Sequence, residues 1–324
     1  MLERETMVNA AIVTALLAGV VWAASAGEIY YINLASRIAI IAMAGVGLNL
    51  ALGYGGMVSF GHAAFFGLGG YVAGVAAYHA FEETLFAGLL PGTNQMLLIW
   101  LVALIIPGLA ALLIGAISLR TQGVYFIMIT LAFAQMIFYF AISFPTYGGE
   151  DGLAIYFRNE LPGVDTSDDT EFFFVAFTLL MLSIFASWRL IGSRFGAALV
   201  MARLNETRLA TAGIEPFPIK LMAFVISAMI TGLAGALYAD WNNSVGTNML
   251  SWHLSGEIMV IVILGGVGRL FGPLAGAILF VGLETQIGAH THHWQLFLGL
   301  ILLIVVLFAR GGLIGAMAGR VRHV

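Results

Sequence analysis

The stretch NLALGYGGMVSFGHAAFFGLGGY, residues 49–71, decides how this chain folds. Most of it is apolar enough for a bilayer, yet it carries seven glycines. Glycine costs about 1 kcal/mol per helical position relative to alanine, so the helix is expected to end near Gly53, Gly55 and Gly56. Non-helical backbone cannot face lipid, because its N–H and C=O groups would lack hydrogen-bond partners. The segment must therefore border protein or a water-filled cavity.

The composition places the whole chain in a membrane. Of 324 residues, 61% are hydrophobic and only 9% are charged, whereas a soluble domain carries about 25% charged residues. No long polar segment could form a second domain, so residues 1–324 are predicted to be one membrane domain. The chain has no cysteine, which excludes disulfides, thiol nucleophiles and cysteine metal sites.

Apolar windows of about 20 residues recur along the chain, and each is long enough to cross a bilayer as a helix. They predict an all-α, polytopic membrane helix bundle with about ten transmembrane segments and glycine-broken helices. The eighth segment is short and runs into a second glycine cluster. The predicted helices are 8–25, 32–52, 62–79, 97–118, 122–143, 172–190, 219–240, 256–268, 272–289 and 295–309.

The distribution of charge predicts the orientation of these helices. Basic residues cluster in residues 190–219 and 310–322, and the positive-inside rule places both regions in the cytoplasm. Acidic residues crowd residues 144–171, which the same arrangement places outside. Both termini are therefore predicted inside. Arg37 and Arg158 fall on the outer side against the rule, and Arg37 is interpreted as extending outward to the interface.

The first helix admits a second interpretation. Residues 24–26, Ala-Ser-Ala, follow an apolar run and imitate a signal-peptide cleavage site. The region before that run sets Arg4 against Glu3 and Glu5, which is a poor positive region for a signal peptide. We therefore expect a retained first helix.

A second interrupted segment gives residues 49–71 a functional interpretation. Residues 264–272, LGGVGRLFG, echo residues 52–61 and also join two apolar runs on the predicted cytoplasmic side. A pair of interruptions in two halves of a membrane protein points to a transport pathway. The alternative is a pair of tight turns between closely packed helices. On the first interpretation, the pathway or gate residues are Asn49, Gly53, Gly55, Gly56, Ser59, His62, Gly265, Gly266 and Gly268.

The longest predicted cytoplasmic connection, about residues 192–218, is expected to contain one short amphipathic helix. Gly213 is a suitable end for that helix, with prolines just beyond it. Such a helix suits docking into a groove on a cytoplasmic partner. The alternative is an interfacial helix whose arginines rest on anionic headgroups.

Four blocks, in this order, resemble the LivM-type permeases of bacterial ATP-binding-cassette importers for branched-chain amino acids. The first is the glycine-rich region and the second a helix signature, followed by an outer loop and then the cytoplasmic loop with its following helix. They are LNL with GHAAFFG in 48–67, LRTQGVYF with TLAF in 119–133, GGEDGL in 148–153, and residues 196–213 with AFVISA and GLAG in 223–235.

The resemblance implies a heterodimeric pore in the bacterial inner membrane. A homologous second permease subunit, two cytoplasmic ATPase subunits and an extracytoplasmic substrate-binding protein are the implied partners, and nucleic acid is not. ATP and Mg²⁺ would bind the ATPases, and this chain, with no cofactor of its own, lacks a GxxxxGK[ST] phosphate loop. Residues 197–212 would form the helix that meets an ATPase. The implied coupling residues are Arg203, Glu206, Arg208, Ala212 and Gly213.

Other functions remain open at this stage. Related permeases carry urea or short amides, which the sequence does not separate from branched-chain amino acids. A secondary transporter driven by an ion gradient should carry a network of membrane carboxylates, but the chain offers chiefly Glu284, with Glu257 near a helix end. Glu284 is expected to pair with a neighbouring helix or face a cavity. A membrane-embedded enzyme should show clustered acids and histidines, which are not seen.

Two groups of polar residues resemble a catalytic site and a metal site. Ser59 and His62 lie three positions apart, as a nucleophile and its base could, but no acidic residue nearby would orient the histidine. Hydrogen bonding at a helix end or a polar lining of the route is preferred. His290, His292 and His293 suggest a metal site, but adjacent histidines point in different directions. They are interpreted as an interfacial cap.

Overall fold

The computed structural model describes residues 2–86, 90–291, 293–308 and 311–318. His292 and Arg310, both used in the predictions above, lie outside these residues. The regular structure is helical apart from short strands at β1 (Leu85–Phe86), β2 (Leu90–Pro91), β3 (Leu153–Ala154) and β4 (Ser244–Val245). The helices are α1 (Leu2–Ala26), α2 (Ile29–Asn49), α3 (His62–Phe81), α4 (Met96–Ser118), α5 (Val124–Ile142), α6 (Asp169–Ile191), α7 (Arg194–Leu204), α8 (Glu206–Thr211), α9 (Pro216–Asn242), α10 (Trp252–Gly265), α11 (Gly272–Gly288), α12 (Trp294–Phe308) and α13 (Gly312–Ala318).

The all-α membrane bundle is confirmed, and each of the ten predicted segments coincides with a helix. Among the described residues, 7 helices are long and apolar enough to cross a membrane: α1, α2 with its last turn, α3, α4, α5, α6 and α9. The remaining three segments, α10, α11 and α12, have 14, 17 and 15 residues. At 1.5 Å per residue they span about 21–26 Å, less than a hydrocarbon core of about 30 Å. Ten crossings therefore stay a prediction.

Close contacts between glycines bring α3 and α9 together at the centre of the bundle. A Cβ added to Gly69 of α3 would lie 1.8 Å from the carbonyl oxygen of Gly232 in α9. One added to Gly235 of α9 would lie 1.8 Å from the oxygen of Phe66. Helices in a bilayer associate through such packing of small residues, because lipid tails give no hydrophobic drive between them. The second half of α2 is buried, and α9, α6 and α11 are among the helices that pack against α2.

The predicted outer ends of the helices are joined by polar and β contacts. Strands β3 and β4 pair antiparallel, which ties the acidic loop to the end of α9. In that loop Arg158 forms an ion pair with Asp169 of α6, at 2.8 Å. This contact explains why an arginine is tolerated on the side that the charge rule assigns to acidic residues.

Arg37 corrects one expectation and confirms another. Its guanidinium does not extend outward to the interface but pairs with Glu284 of α11, at 2.9 Å. Both side chains are partly buried, and each charge lowers the free-energy cost of burying the other. Glu284 thus has the neighbouring-helix partner that the sequence led us to expect.

The connection between α6 and α9, which the charge pattern predicts to be cytoplasmic, differs from the single helix that was predicted. It contains two helices, α7 and α8, which are separated at Asn205. The backbone of Asn205 is extended, and its side chain caps α8 by accepting a hydrogen bond from the N–H of Arg208, at 3.0 Å. Asparagine favours such N-cap positions over helix interiors, which is why the helix breaks there. Helix α8 ends near Gly213, as predicted.

Candidate functional site

The glycine segment, residues 50–61, breaks the helix as predicted. A π-helical turn, Leu50–Tyr54, follows α2, and the chain is then non-helical until α3 begins at His62. In the turn, the N–H of Gly55 donates to the oxygen of Leu50 at 3.2 Å. Gly56 has a φ of +68°, which residues with a Cβ rarely adopt. Local π-helical turns of this kind recur at functional sites.

Asn49 joins the glycine segment to the second interrupted segment. Its buried side chain accepts a hydrogen bond from the N–H of Gly268, at 2.9 Å, and donates one to the carbonyl of Arg269, at 2.8 Å. We call residues 266–271 the α10–α11 turn. Gly53 packs so closely on this turn that an added Cβ would lie 2.6 Å from the nitrogen of Gly268. The two interruptions found in the sequence are therefore in direct contact.

Glycine is required in the second interrupted segment because main-chain atoms approach closely there and because two residues have a positive φ. A Cβ on Gly265 would lie 1.7 Å from the oxygen of Gly272. Gly266 and Gly268 have φ values of +125° and +77°, both in the region that favours glycine. All of these glycines contact protein, which agrees with the packing interpretation as well as with a gate. Their role as pathway lining stays a prediction.

His62 and Ser59 do not form a nucleophile and base. The Nε2 of His62 lies 2.7 Å from the hydroxyl of Ser227 in α9, which in turn donates to the carbonyl of Gly47 in α2 at 2.5 Å. Ser59 instead accepts a hydrogen bond from the N–H of Gly61, at 3.1 Å. His62 is fully buried and links the start of α3 to two other helices. Sequence reasoning selected His62 but missed Ser227, its partner from a distant part of the chain.

The sequence did not predict the shape of the segment between α9 and α10, which forms strand β4 and a short 3-10 helix, Thr247–Leu250, rather than an α-helix. We call residues 243–251 the descending segment, because it runs along α3 in the opposite direction. Backbone beside the middle of a crossing helix must be covered by protein or face a cavity, and this segment lies close to three glycines of α3. The pairs in order are Val245 with Gly74, Met249 with Gly70, and Leu250 with Gly67.

The descending segment continues into α10 and completes its passage along α3. The hydroxyl of Ser255 donates to the carbonyl of Phe60, at 2.7 Å, and accepts from the N–H of Ala63, at 2.8 Å. One serine thereby satisfies two backbone groups at the break before α3. The polar run NNSVGTN, residues 242–248, falls between two of the predicted helices, and the sequence pattern made no prediction of where it would lie. Its position beside α3 depends on glycines some 170 residues earlier, which sequence spacing could not show.

The residues predicted to couple this chain to an ATPase divide into two groups. Arg203 of α7 donates a hydrogen bond to the carbonyl of Gly53, and Glu206 of α8 pairs with Lys220 of α9. Glu206 also accepts a hydrogen bond from Gln122 in the turn between α4 and α5, at 3.0 Å. These two residues thus contact the rest of this chain. The other group, Arg208, Ala212 and Gly213, is exposed, and Arg203 is exposed as well despite its contact with Gly53.

No group of three or more metal-ligating side chains comes together in the part of the chain that the structure describes. His290 lies with its Nδ1 2.9 Å from the carbonyl of Gln286, at the exposed end of α11. Glu257 and Glu284 are the acidic residues of α10 and α11, and the latter is already paired with Arg37.

Long apolar helices combined with buried non-helical backbone define a multi-pass membrane protein of the transporter class. The chain belongs to the family described as the permease component of the branched-chain amino acid transport system, whose family model matches residues 30–307. That match includes both interrupted segments, the descending segment and helices α7 and α8.

Curated relatives agree with this assignment. The chain is 25% identical over 307 residues to the high-affinity branched-chain amino acid transport system permease protein LivM of Salmonella typhimurium. It is 26% identical over 307 residues to the protein of the same description from Escherichia coli. Each alignment covers 87% of this chain and 69% of the relative. No solved structure matched.

Proposed function

We propose that this chain is a permease subunit of an ATP-binding-cassette importer, and that it forms half of the route by which branched-chain amino acids enter a bacterial cell across the inner membrane. The observation that carries the proposal is the family match over residues 30–307. A second, homologous permease would supply the other half of the route. An extracytoplasmic binding protein would deliver the amino acid.

Two ATPase subunits would bind ATP and Mg²⁺ below the membrane, and this chain would bind neither. The surface proposed to receive an ATPase surrounds α8. It includes Arg208, Ala212 and Gly213, together with Leu204, which is 78% exposed at the end of α7. Leu204 is not a lone exposed apolar residue in this connection, since Met201 and Ile214 are exposed as well, and exposed apolar patches mark protein–protein contacts. Arg203 and Glu206 are left out of this surface because they contact the permease itself.

The ATPase surface is tested by Leu204→Asp. The change puts a charge at the centre of the proposed contact, so we expect about tenfold less ATPase to co-purify with the permease. Tyr156→Asp, at an exposed residue of the predicted outer loop, is the control. Unchanged recovery of the ATPases with Leu204→Asp would place their contact elsewhere.

Transport is tested by reconstituting the chain in vesicles with its three kinds of partner protein. Uptake of labelled leucine should require ATP and the binding protein, and it should persist when ionophores collapse the ion gradients. Labelled urea is the comparison solute. Uptake of urea but not leucine would overturn the assignment of branched-chain amino acids as the substrate. Uptake that needs an ion gradient but no ATP would overturn the assignment to an ATP-driven importer.

A further inference from the structure

Two side chains of α7 contact the glycine segment. Leu199 and Arg203 lie four positions apart and so share one face of the helix. Leu199 is fully buried in the cluster that includes Leu50, Ala51 and Met57. Arg203 donates to the carbonyl of Gly53, and its side-chain stem crosses Gly56. Helix α7 is therefore joined to the glycine segment by one apolar and one polar contact.

From the glycine segment the contacts continue to a different part of the bundle. Gly53 packs on Gly268, and Asn49, one turn before Gly53, is hydrogen-bonded to both Gly268 and Arg269. Arg269 is in turn 3.6 Å from the carboxylate of Glu5 in α1. A displacement of α7 thus has a continuous set of contacts through which to reach the α10–α11 turn.

The break at Asn205 separates this contact from a second anchor. On its other side, Glu206 is held by Lys220 and Gln122, so α8 is joined to α9 and to the start of α5. A cavity of about 240 Å³ lies next to residues 56–58 and is bordered by Gln122, Glu206 and Lys220. The glycine segment therefore borders open space at residues 56–58.

We propose that Arg203 is a positioning residue that makes the glycine segment move with α7 and so links the cytoplasmic connection to the α10–α11 turn. This inference rests on the proposed function, because it assigns Arg203 to coupling inside the permease and not to contact with an ATPase. A charged donor holds a carbonyl more firmly than a neutral one does. Lysine can replace that donor, whereas methionine keeps the length and loses it.

The test uses the complete importer in vesicles and measures solute transported per ATP hydrolysed. Arg203→Met should lower this ratio by about tenfold, as expected for loss of one charge-assisted hydrogen bond. Arg203→Lys should restore most of it. Arg189→Met, at an exposed arginine that ends α6, is the matched control. A purely structural role would lower the amount of assembled importer without changing the ratio.

The outcomes separate this inference from the proposed function. A wild-type importer that neither transports nor hydrolyses ATP in response to loaded binding protein would overturn the proposed function. A wild-type importer that works, with an unchanged ratio in Arg203→Met, would overturn only the role of Arg203. Loss of the ATPases from the Arg203→Met complex would also overturn it, because the residue would then be part of the docking surface.

A covalent link supplies a second test that does not depend on Arg203→Met assembling. A Cβ on Gly56 would lie 3.6 Å from the Cβ of Arg203, within the disulfide range of about 3.5–4.5 Å. The chain has no native cysteine. Gly56→Cys combined with Arg203→Cys should be poorly coupled when reduced and regain coupling when oxidised, with Gly56→Cys alone as the control. Gly56→Cys alone measures the cost of a Cβ at this left-handed position, and an oxidised double variant no better coupled than the reduced one would overturn the proposal.

Discussion

The side-chain amide of Asn49 uses both of its ends on the α10–α11 turn, accepting from the N–H of Gly268 at 2.9 Å and donating to the carbonyl of Arg269 at 2.8 Å. The two interruptions that the sequence presents separately are thereby made into one structure. Asparagine suits this position because one planar group offers a donor and an acceptor side by side.

Asn49→Leu should destabilise the protein by about 2–4 kcal/mol, because two buried backbone groups would lose their partners. Thermal unfolding in detergent is the measurement. Asn94→Leu is the control, since Asn94 accepts the hydrogen bond from the N–H of Glu160 through its main-chain carbonyl, which the substitution keeps. Equal melting temperatures for the two variants would contradict the hydrogen bonds from Asn49 to the α10–α11 turn.

The hydrogen bond between His62 and Ser227 should appear in a double-mutant cycle. We expect His62→Phe and Ser227→Ala to show a coupling energy of about 1 kcal/mol in unfolding, because the two residues share a buried contact. His62→Phe combined with Ser143→Ala should be additive, since Ser143 lies exposed at the end of α5. A coupling energy near zero for the first pair would show that the contact does not form.

Two neighbouring glycines of α3 should differ sharply on substitution by alanine. Gly69→Ala places a Cβ 1.8 Å from the main-chain oxygen of Gly232 and should cost about 3 kcal/mol or more. Gly70→Ala meets the flexible end of Met249, at 2.5 Å, which can move aside, and the main-chain oxygen of Gly235 only at 3.3 Å, so its cost should be at least about 1 kcal/mol smaller than that of Gly69→Ala.

The yield of monodisperse protein and its melting temperature measure both glycine variants. Similar behaviour of the two, in either direction, would contradict the close approach of α3 to α9.

Variants of the ion pair between Arg37 and Glu284 should show that leaving one charge unpaired destabilises the protein more than removing both charges. Arg37→Met alone should cost about 1–3 kcal/mol, because it leaves the carboxylate of Glu284 partly buried without its partner. Arg37→Met combined with Glu284→Met should recover part of that loss. Thermal unfolding of the single and double variants checks the order, and a double variant less stable than either single one would refute it.

The helices were predictable because their signal is local. Every apolar run of suitable length coincides with a helix, and the glycines after Asn49 end α2 as their helix propensity requires. The connection between α6 and α9 was harder to predict, since the break at Asn205 depends on a helix cap that competes with a good amphipathic pattern. The hydrogen bond of the Arg203 side chain could not be predicted at all, because its acceptor is a carbonyl 150 residues away in the sequence.

The sequence by itself determined that this chain lies in a membrane, where its helices run and where two of them are interrupted, since hydropathy and glycine act over a few residues. The tertiary structure alone decided what the interruptions do. It brought Asn49 to Gly268, paired His62 with Ser227 and laid the descending segment along α3. Such contacts join residues that are distant in sequence, and hydrogen bonds and close packing between helices depend on the folded arrangement for their partners.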